Sequence, residues 1–513
     1  MLVLGIDQGS SGSKAILLDG EGVMRGSGYR PVRRLHPEPA WTEQDPAELA
    51  TTVADAITEA LGRAGATADE VLAAGIASQR NTDVVWDAAT GLPLANAISW
   101  QDMRTHALLA ELRADDSVWP EAHRRLGQLP GHYSASLHLM WRMRHDQAVI
   151  DAARDGRLRV GLPGEWVIQA LGTLREHAVD FSLAQALSCY DIRVDDWWGP
   201  FLDRIGVPHE ALPAVRPTLH PYGSIRVADP AGGTADVPVL ALLADQQAAL
   251  FGYDCRRPGD AECTHGTASY LDVCAGPTKP EAARMQSYYA WTLPRPLRGP
   301  DGRPPATPDA IERTWCVEGD ATVTGAAIRW LREGIGLLGD EREIGPLAAT
   351  VADAGGVTFV PAFTGLNAPD RDERARASIL GLTLGSTKAH VARALLDSIG
   401  FQVRAMLDEV EDDLGMTVEH LKVGGGISAS DVACQVQADR LGIPVERPAF
   451  TDTTPRAAAL LAGLGAGTWA TLDALPPLPG GSTVFEPAMP AARREAEHAH
   501  WRRTIDLVRA HGS

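Results

Sequence analysis

The segment 2–19, LVLGIDQGSSGSKAILLD, constrains the fold of this chain more than any other stretch. A short apolar run at 2–6 has the character of a buried strand, the segment 14–19 is its expected return partner, and a tight connection separates the two. The connection 9–13 contains only glycine and serine, so its backbone N–H groups and hydroxyls are accessible to a bound anion. The segment therefore predicts a β-hairpin whose turn can bind phosphate.

Asp7 lies at the end of the first predicted strand, where a carboxylate is placed to hold Mg²⁺ through water beside the anion. The turn is not a Walker A loop, because 9–14 lacks the G-x-x-x-x-G-K-[ST] spacing and a strand rather than a helix follows. An ordinary polar hairpin turn has a similar composition. The segment alone leaves both interpretations open.

The length of the chain predicts two domains, because 513 residues exceed the size at which a single core stops growing. The net charge of −19 argues against a general nucleic-acid binder and against adhesion to an anionic membrane. It does not argue against a phosphate-bearing ligand, since nearby backbone N–H groups and one metal ion attract a phosphate more strongly than the distant negative charges of the protein repel it. We therefore expect neither nucleic acid nor membrane among the partners.

The six cysteines are scattered and form no C-x-x-C pair, which argues against structural zinc and against a disulfide framework. The N-terminus enters a strand at once, so we expect no signal peptide. No run approaches the roughly 20 apolar residues that span a bilayer. These features predict a soluble cytoplasmic protein, and they leave open whether it is a monomer or a homo-oligomer.

Strand and helix patterns alternate over about the first 250 residues. Apolar residues at helical spacing predict a helix over 47–64, and continuous apolar runs predict buried strands over 71–77 and 237–243. Such alternation is typical of an α/β domain, in which the loops converge at the strand ends. Polar residues follow both strands, at 78–81 and at 245–247.

The second half of the chain repeats the hairpin design of the first. Residues 262–273 again show a strand, a Gly/Thr/Ala turn and a strand, which indicates two lobes with related cores. At 422–430 a strand meets a helix across three glycines, so the backbone can come close to a phosphorylated ligand. The charged segment 491–511 predicts a solvent-exposed terminal helix without a site.

These junctions, in this order, resemble those of the FGGY carbohydrate kinases, and within that family the glycerol kinases most. The resemblance runs from GIDQGSSGSKA at 5–15 to GGGISAS at 424–430 and so covers nearly the whole chain. Its more specific parts are GIASQRNTDVVWD at 75–87, NAISWQD at 96–102, ADQQAALFG at 244–252, VPAFTGLNAP at 360–369 and ASILGLTLGSTKAHVARALLD at 377–397.

The resemblance implies an α/β fold with two actin-like (ribonuclease-H-like) lobes and a central cleft for ATP and substrate. It implies a requirement for Mg²⁺ and a small polyol or sugar as the partner molecule. It also implies a substrate-binding N-terminal lobe at 1–247 and a nucleotide-binding C-terminal lobe at 248–513.

By the same likeness, Asp245 is the general base that takes the proton of the substrate hydroxyl, a role compatible with capping the following helix. Asp7 would position Mg²⁺. The residues implied to face ATP are Ser10, Ser11, Gly12, Gly266, Thr267, Gly325, Arg329, Gly426 and Ser430. Those that match the substrate-binding positions are Arg80, Asn81, Trp100, Tyr133 and Gln246, together with Asp245.

Several positions depart from the glycerol kinase pattern. Asn81 stands where glycerol kinases have glutamate, which removes a strong acceptor and adds a donor. His138 replaces a lysine, and Arg329 and Ser430 replace a glutamine and an asparagine. Pro455-Arg456 interrupts a late family motif.

Three hypotheses about function follow. The first is an ATP-dependent kinase of a small polyol, with glycerol as the leading substrate. The second is a kinase of another polyol or ketose, of the erythritol, xylulose or ribulose type. The third is a non-catalytic actin-like sensor of nucleotide or sugar, and the presence of Asp7 and Asp245 argues against it because a sensor needs no base.

Overall fold

The hairpin predicted over 2–19 is present, and it lies within a seven-stranded sheet. The structure is a computed structural model that describes residues 1–321 and 323–512. The helix predicted over 47–64 and the strands predicted over 71–77 and 237–243 are confirmed, and each end differs by at most three residues.

The strands are β1 (Leu2–Gln8), β2 (Gly12–Leu18), β3 (Met24–Pro31), β4 (Glu43–Gln44), β5 (Val71–Ser78), β6 (Val84–Asp87), β7 (Ala97–Ile98), β8 (Leu158–Gly161), β9 (Gly172–Leu174), β10 (Ala178–Asp180), β11 (Tyr190–Asp191), β12 (Asp196–Trp197), β13 (Ala214–Arg216), β14 (Leu219–Ala228), β15 (Thr234–Ala244), β16 (Ala261–His265), β17 (Ser269–Gly276), β18 (Gln286–Arg295), β19 (Ala310–Ala321), β20 (Thr358–Val360), β21 (Ser378–Leu380), β22 (Leu421–Gly424), β23 (Val445–Pro448) and β24 (Ser482–Phe485). The α-helices are α1 (Pro46–Ala64), α2 (His106–Arg113), α3 (Trp119–Leu126), α4 (Ala135–His145), α5 (Gln147–Arg154), α6 (Pro163–Leu171), α7 (Phe181–Ala186), α8 (Gly199–Ile205), α9 (Asp245–Gly252), α10 (Gly325–Glu333), α11 (Ile344–Ala348), α12 (Lys388–Leu414), α13 (Asp431–Leu441), α14 (Thr453–Ala466) and α15 (Ala491–Gly512). Short 3₁₀ helices cover Ala68–Glu70, His209–Ala211, Glu341–Glu343, Gly426–Ala429 and Leu472–Ala474.

The chain divides into two units that alternate along the sequence. The first unit comprises Met1–Gly252, Tyr288–Trp315 and Asp452–Pro477. The second unit comprises Tyr253–Ser287, Cys316–Thr451 and Leu478–Ser513. The first unit thus includes two segments that lie beyond residue 247, the boundary expected from the resemblance. The assignment of substrate to one lobe and nucleotide to the other stays a prediction.

In the first unit, the sheet has the order β3-β2-β1-β5-β15-β14-β9. The central strands β1, β5 and β15 run parallel to one another, and β2 and β14 are antiparallel to their neighbours. Parallel strands end at the same edge of a sheet, so the segments that follow β1, β5 and β15 are brought together.

The late helix α14 packs against β1 and β5 in the first unit. A Cβ atom on Gly5 would lie 1.9 Å from the carbonyl oxygen of Pro455, so only glycine permits this approach. The next residue, Arg456, is 1% exposed and donates to the carbonyl of Gly252 at 2.7 Å. The residues that interrupt the family motif are therefore part of this packing.

The second unit contains a sheet in which the strands β17, β16, β22, β23 and β24 follow one another in this order. Its core includes Cys263, Leu271, Val423 and Met406, which are at most 1% exposed. β16 and β17 form the second predicted hairpin, and β16 runs parallel to β22.

The prediction that the C-terminal helix is only a solvated end is wrong. α15 buries Trp501, Ile505 and Val508 against Phe401 and its neighbours in the second unit. The three buried residues recur at helical spacing, so one face of α15 is part of the core, while charged residues cover the other faces.

In the described residues, no helix combines the length and hydropathy that crossing a membrane requires.

Candidate active site

Three strand ends of the first unit bring together the polar residues predicted from the sequence. Asp7 is the penultimate residue of β1, and in the parallel register it pairs with Ala77 of β5. Leu243 of β15 pairs with the same alanine, and Asp245 follows two residues later as the first residue of α9. Arg80 lies two residues beyond the end of β5. Asp7, Arg80 and Asp245 therefore share one edge of the sheet.

The two carboxylates and the guanidinium of this edge interact electrostatically. Arg80 Nε lies 3.7 Å from Asp245 Oδ1, and the two side chains are 11% and 27% exposed. Burial raises the pKa of Asp245, and Arg80 offsets part of that effect. Burial and then the Asp245 carboxylate raise the pKa of Asp7 to about 7. The site thus holds two closely coupled carboxylates in a partly desolvated environment.

Asp245 also begins a helix, as the sequence indicated. Its Oδ1 accepts the backbone N–H of Gln246 at 2.9 Å. A buried chain fixes the strand just before it: Ser182 Oγ accepts the N–H of Ala244 at 2.9 Å and donates to Asp180 Oδ1 at 2.8 Å. Because these groups are at most 2% exposed, their hydrogen bonds hold the backbone next to Asp245 in one position.

Lys14 and Asp452 are charged residues at this edge that the sequence analysis missed. Lys14 pairs with Asp7 across the β1–β2 hairpin, and its Nζ forms an ion pair with Asp452. Lys14 lowers the pKa of Asp7 and Asp452 raises it, so both lie within electrostatic range of that carboxylate. Asp452 follows Lys14 by 438 residues and comes from the segment that enters α14, so local patterns carry no signal for the pair.

Asn81 departs from the family pattern and has a specific conformation. Its φ of 58° lies in the left-handed region, which asparagine tolerates better than most residues. Ser188 Oγ donates to its Oδ1 at 3.3 Å. Gln128 Nε2 lies 3.4 Å from the same Ser188 hydroxyl as a donor, which favours donation by the hydroxyl to Asn81. The carbonyl oxygen of this amide is therefore engaged within the protein.

The remaining predicted acceptor-site residues come from three segments of the first unit. Trp100 follows β7, and its N–H donates to Thr82 Oγ1 at 3.3 Å. Tyr133 is in the turn before α4 and is partly exposed. Gln246 is the second residue of α9 and is partly exposed. Each has a polar or aromatic group at least partly accessible, and their roles stay predictions.

His138, which stands where the family has lysine, is fully buried on α4. Its Nδ1 lies 3.3 Å from Asp83 Oδ1, and Arg142 of the same helix also pairs with Asp83. Although burial acts in the opposite direction, Arg142 and His138 hold the pKa of Asp83 below its usual range. Asp83 lies two residues beyond Asn81 along the chain, and the three residues of this cluster are at most 2% exposed.

The glycine-serine turn is closed by its own backbone. Gly9 N–H donates to the carbonyl of Gly12 at 3.0 Å, and the carbonyl of Ser11 accepts the N–H of Val32 at 3.1 Å. Ser10 is partly exposed, Ser11 is exposed and Gly12 is buried. Of the three residues predicted to face ATP in this turn, Ser10 and Ser11 are accessible to solvent and Gly12 is not.

Among residues 1–321 and 323–512, no three Asp, Glu, His or Cys side chains are grouped closely enough to hold a metal ion by themselves. Mg²⁺ commonly keeps several waters and binds one or two carboxylates plus substrate phosphates. Asp7 offers a hard oxygen donor in a setting where neighbouring carboxylates disfavour its charge. Its chemistry fits a water-mediated Mg²⁺ contact rather than an all-protein cage.

In the second unit, three of the predicted nucleotide-binding residues lie in direct contact. The carbonyl of Gly266 accepts the N–H of Gly325 at 3.1 Å, and the carbonyl of Thr267 accepts the N–H of Ala326 at 3.2 Å. The hairpin turn between β16 and β17 therefore caps the N-terminus of α10. A Cβ atom on Gly325 would lie 2.4 Å from the Gly266 carbonyl oxygen, so this contact requires glycine.

The glycine-rich junction after β22 packs on the same hairpin. Gly425 has φ 82°, and a Cβ atom there would lie 2.2 Å from the carbonyl oxygen of His265. His265 is buried, contacts Ser269 Oγ at 2.7 Å and Gln437 Oε1 at 2.9 Å, and burial lowers its pKa to about 4. A neutral histidine thus links the hairpin to α13.

Gly426 and Ser430 lie on this junction and Arg329 on α10. Gly426 is exposed, while the Ser430 hydroxyl accepts the N–H of Ala433 at 3.3 Å and caps α13. Arg329 is 52% exposed, with its Nε 3.6 Å from Glu341. The structure brings Gly266, Thr267, Gly325 and the segment before Gly426 together, and it leaves Arg329 on the surface of the second unit.

Comparisons with known proteins agree with this arrangement. Residues 2–252 match the N-terminal domain of the FGGY family of carbohydrate kinases, and residues 288–466 match its C-terminal domain. A glycerol kinase from Symbiobacterium thermophilum is 38% identical over 99% of this chain and 98% of its own length. A glycerol kinase from Bordetella parapertussis is 37% identical over 98% of this chain and 96% of its own length.

Solved structures give the same result. A Plasmodium falciparum glycerol kinase with ADP has a TM-score of 0.87 at 25% identity, covering 99% of this chain and 98% of that one. A xylulose kinase from Rhodospirillum rubrum shares the fold, with a TM-score of 0.80 at 24% identity and coverage of 99% and 98%. The two-lobed actin-like α/β fold expected from the sequence is confirmed. The chain belongs to the FGGY family of carbohydrate kinases and is a polyol or sugar kinase.

Proposed function

We propose that this protein transfers the terminal phosphoryl group of ATP to a hydroxyl of glycerol. The observation that carries the proposal is the convergence of Asp7, Arg80 and Asp245 at one edge of the first sheet, with Arg80 Nε 3.7 Å from Asp245 Oδ1. Relatives described as glycerol kinases, similar over nearly the full chain, support glycerol over larger acceptors.

Asp245 is the proposed general base. Phosphoryl transfer needs little covalent chemistry from the protein, so catalysis consists of alignment and neutralisation of charge. A carboxylate whose pKa burial has raised is a better proton acceptor than an exposed one, and Arg80 favours its charged form. Asp245 would accept the proton of the attacking hydroxyl as the bond to phosphorus forms.

The acceptor would contact Arg80, Asn81, Trp100, Tyr133, Asp245 and Gln246. A guanidinium and two amides supply donors for hydroxyl oxygens, and the two aromatic side chains supply apolar surface for the carbon backbone. Loss of one hydroxyl partner is costly in such a site, because a buried polar group is then left unsatisfied. The engaged carbonyl of Asn81 leaves its Nδ2 group as the donor for the acceptor molecule.

In the first unit, the residues that we propose contact phosphate are Ser10, Ser11 and Gly12. In the second unit, the residues that we propose contact nucleotide are Gly266, Thr267, Gly325, Arg329, Gly426 and Ser430. Asp7 would hold Mg²⁺ through water. The ion would supply neutralisation of the negative charge on the phosphates. Glycine at 325 and 425 keeps the backbone compact where a nucleotide approaches, which supports this assignment.

We place the reaction in the cytoplasm, where ATP is abundant. The six cysteines are free and buried, as expected in a reducing compartment.

The test is a panel of acceptors with ATP and Mg²⁺. Glycerol, dihydroxyacetone, erythritol, xylulose and ribulose are compared by the rate of ADP formation and by mass spectrometry of the product. We expect the highest kcat/KM with glycerol. A higher value with a four- or five-carbon substrate would favour the second hypothesis, and nucleotide binding without turnover on any acceptor would favour the sensor.

A further inference from the structure

One buried glutamine connects the glycine-serine turn with the loops of the candidate acceptor site. Gln79 directly follows β5 and is 1% exposed. Its Nε2 donates to Gln8 Oε1 and to Gln44 Oε1, each at 3.0 Å. Its Oε1 accepts the hydroxyl of Thr82 at 2.9 Å. The amide therefore uses both of its N–H donors and one acceptor lone pair within the protein.

On one side, this amide leads to the glycine-serine turn. Gln44 Nε2 donates to the carbonyl of Ser10 at 2.9 Å, and Gln8 Nε2 donates to the carbonyl of Gly9 at 3.1 Å. The backbone N–H of Gln79 donates to the carbonyl of Gln8 at 2.9 Å. Three glutamines thus fix the turn relative to the end of β5.

On the other side, the amide leads to the acceptor loops. The Thr82 hydroxyl that donates to Gln79 accepts the N–H of Trp100 at 3.3 Å. Gln8, Gln44 and Thr82 have no exposed surface. A continuous buried chain of hydrogen bonds therefore joins the carbonyl of Ser10 to the backbone of Trp100, and Gln79 is its central member.

We propose that Gln79 is a positioning residue for phosphoryl transfer, an inference that rests on the proposed function. It holds the glycine-serine turn in register with the acceptor loops, so that the phosphoryl group and the attacking hydroxyl are aligned. A misplacement of about 1 Å costs on the order of 10²-fold in rate. With the acceptor misaligned, water takes the phosphoryl group instead, and ATP is converted to ADP and inorganic phosphate.

Three substitutions separate the two sides of the chain. Gln79→Met keeps the volume and removes every hydrogen bond of the side chain, including a longer one of 3.4 Å to the carbonyl of Gly9. Gln79→Glu keeps an acceptor for Thr82 but loses both donors to Gln8 and Gln44. Thr82→Val keeps the shape and breaks the link to Trp100. Tyr222→Phe is the control, because it removes a buried 2.8 Å hydrogen bond to Pro217 in the same unit without contacting either loop.

The experiment measures ADP and phosphorylated glycerol in parallel, with active protein quantified by its folded fraction. Wild type is expected to form the two in a ratio near one, and failure of wild type to phosphorylate glycerol would count against the proposed function alone. For Gln79→Met we expect kcat for product to fall about 10²-fold and the ratio of ADP to product to rise several-fold. Gln79→Glu should raise the KM for ATP more than the KM for glycerol. Thr82→Val should raise the KM for glycerol more than the KM for ATP.

A purely structural role predicts a different result. In that case the variants would lose thermal stability, but their kcat per folded molecule and their ADP-to-product ratio would stay within about twofold of those of Tyr222→Phe. This result, obtained while wild type is active, would overturn the inference. If Gln79→Met does not fold, Gln79→Glu and Thr82→Val carry the test by the same criteria.

Discussion

Arg80 Nε lies 3.7 Å from Asp245 Oδ1, at the point where two parallel strands of the first unit end. The separation is longer than a hydrogen bond but short enough for a strong electrostatic interaction. Burial favours the protonated acid and Arg80 favours the carboxylate, so the two effects oppose each other at Asp245. A general base needs this balance, since it must be ionised before the reaction and must hold a proton after it.

Asn81→Glu should shift the preference of the enzyme towards glycerol. The change restores a strong acceptor beside Arg80, and Ser188 can donate to the new carboxylate as it does to Asn81. We expect kcat/KM for glycerol relative to dihydroxyacetone and erythritol to rise about 10-fold or more. Asn81→Asp is the matched control, because its shorter carboxylate does not reach the same position. Unchanged relative rates would show that residue 81 does not set specificity.

Gly325→Ala should weaken nucleotide binding and leave acceptor binding unchanged. The added methyl group would lie 2.4 Å from the carbonyl of Gly266, so the hairpin or the start of α10 must move. We expect KM for ATP to rise about 10-fold, with KM for glycerol unaffected. Gly385→Ala, in an exposed loop of the second unit, is the control. Equal KM values for ATP in the two variants would remove Gly325 from the nucleotide site.

Glu165→Gln should stabilise the protein at alkaline pH. Glu165 has no exposed surface, its Oε1 accepts the N–H of Leu162 at 3.3 Å, and burial raises its pKa from 4.5 to about 8. Between these values the folded protein keeps a proton that the unfolded chain releases. The associated stability is complete below about pH 4.5 and is lost as the pH rises to about 8.

The glutamine variant lacks this titration but keeps the acceptor for Leu162. Its Tm should exceed that of wild type by on the order of 3–5 °C at pH 8.5, and the difference should shrink at pH 5. Glu210→Gln, at an exposed position, is the control. A difference that does not depend on pH would contradict the assignment of a protonated Glu165.

Much of the fold and site could be predicted because the relevant patterns are local. The hairpin at 2–19 and the strands 71–77 and 237–243 are continuous apolar runs, and parallel strands bring their ends together. That rule alone places Asp7, Arg80 and Asp245 at one edge. The buried face of α15 was missed, although Trp501, Ile505 and Val508 carry the helical spacing that signals it.

The remainder depends on contacts between distant segments. Lys14 and Asp452 are 438 residues apart, and Ser188 is 107 residues from Asn81. The packing of α14 against β1 requires that residue 5 has no side chain, and the sequence around Gly5 does not indicate this contact. Such contacts form only when a complete unit packs. Hydrophobic periodicity and turn composition in a single sequence do not predict them.

The central claim is that Asp245 accepts the proton of the attacking hydroxyl, and the Asp245→Asn variant tests it most directly. Steady-state kinetics with ATP, Mg²⁺ and glycerol are compared with those of wild type and of Asp236→Asn, an exposed aspartate on β15, the strand that leads to Asp245. The amide keeps the shape and the hydrogen bond from Gln246 but accepts no proton, so kcat should fall on the order of 10³-fold with KM for glycerol within about threefold of wild type. Turnover of Asp245→Asn close to that of Asp236→Asn would contradict the account.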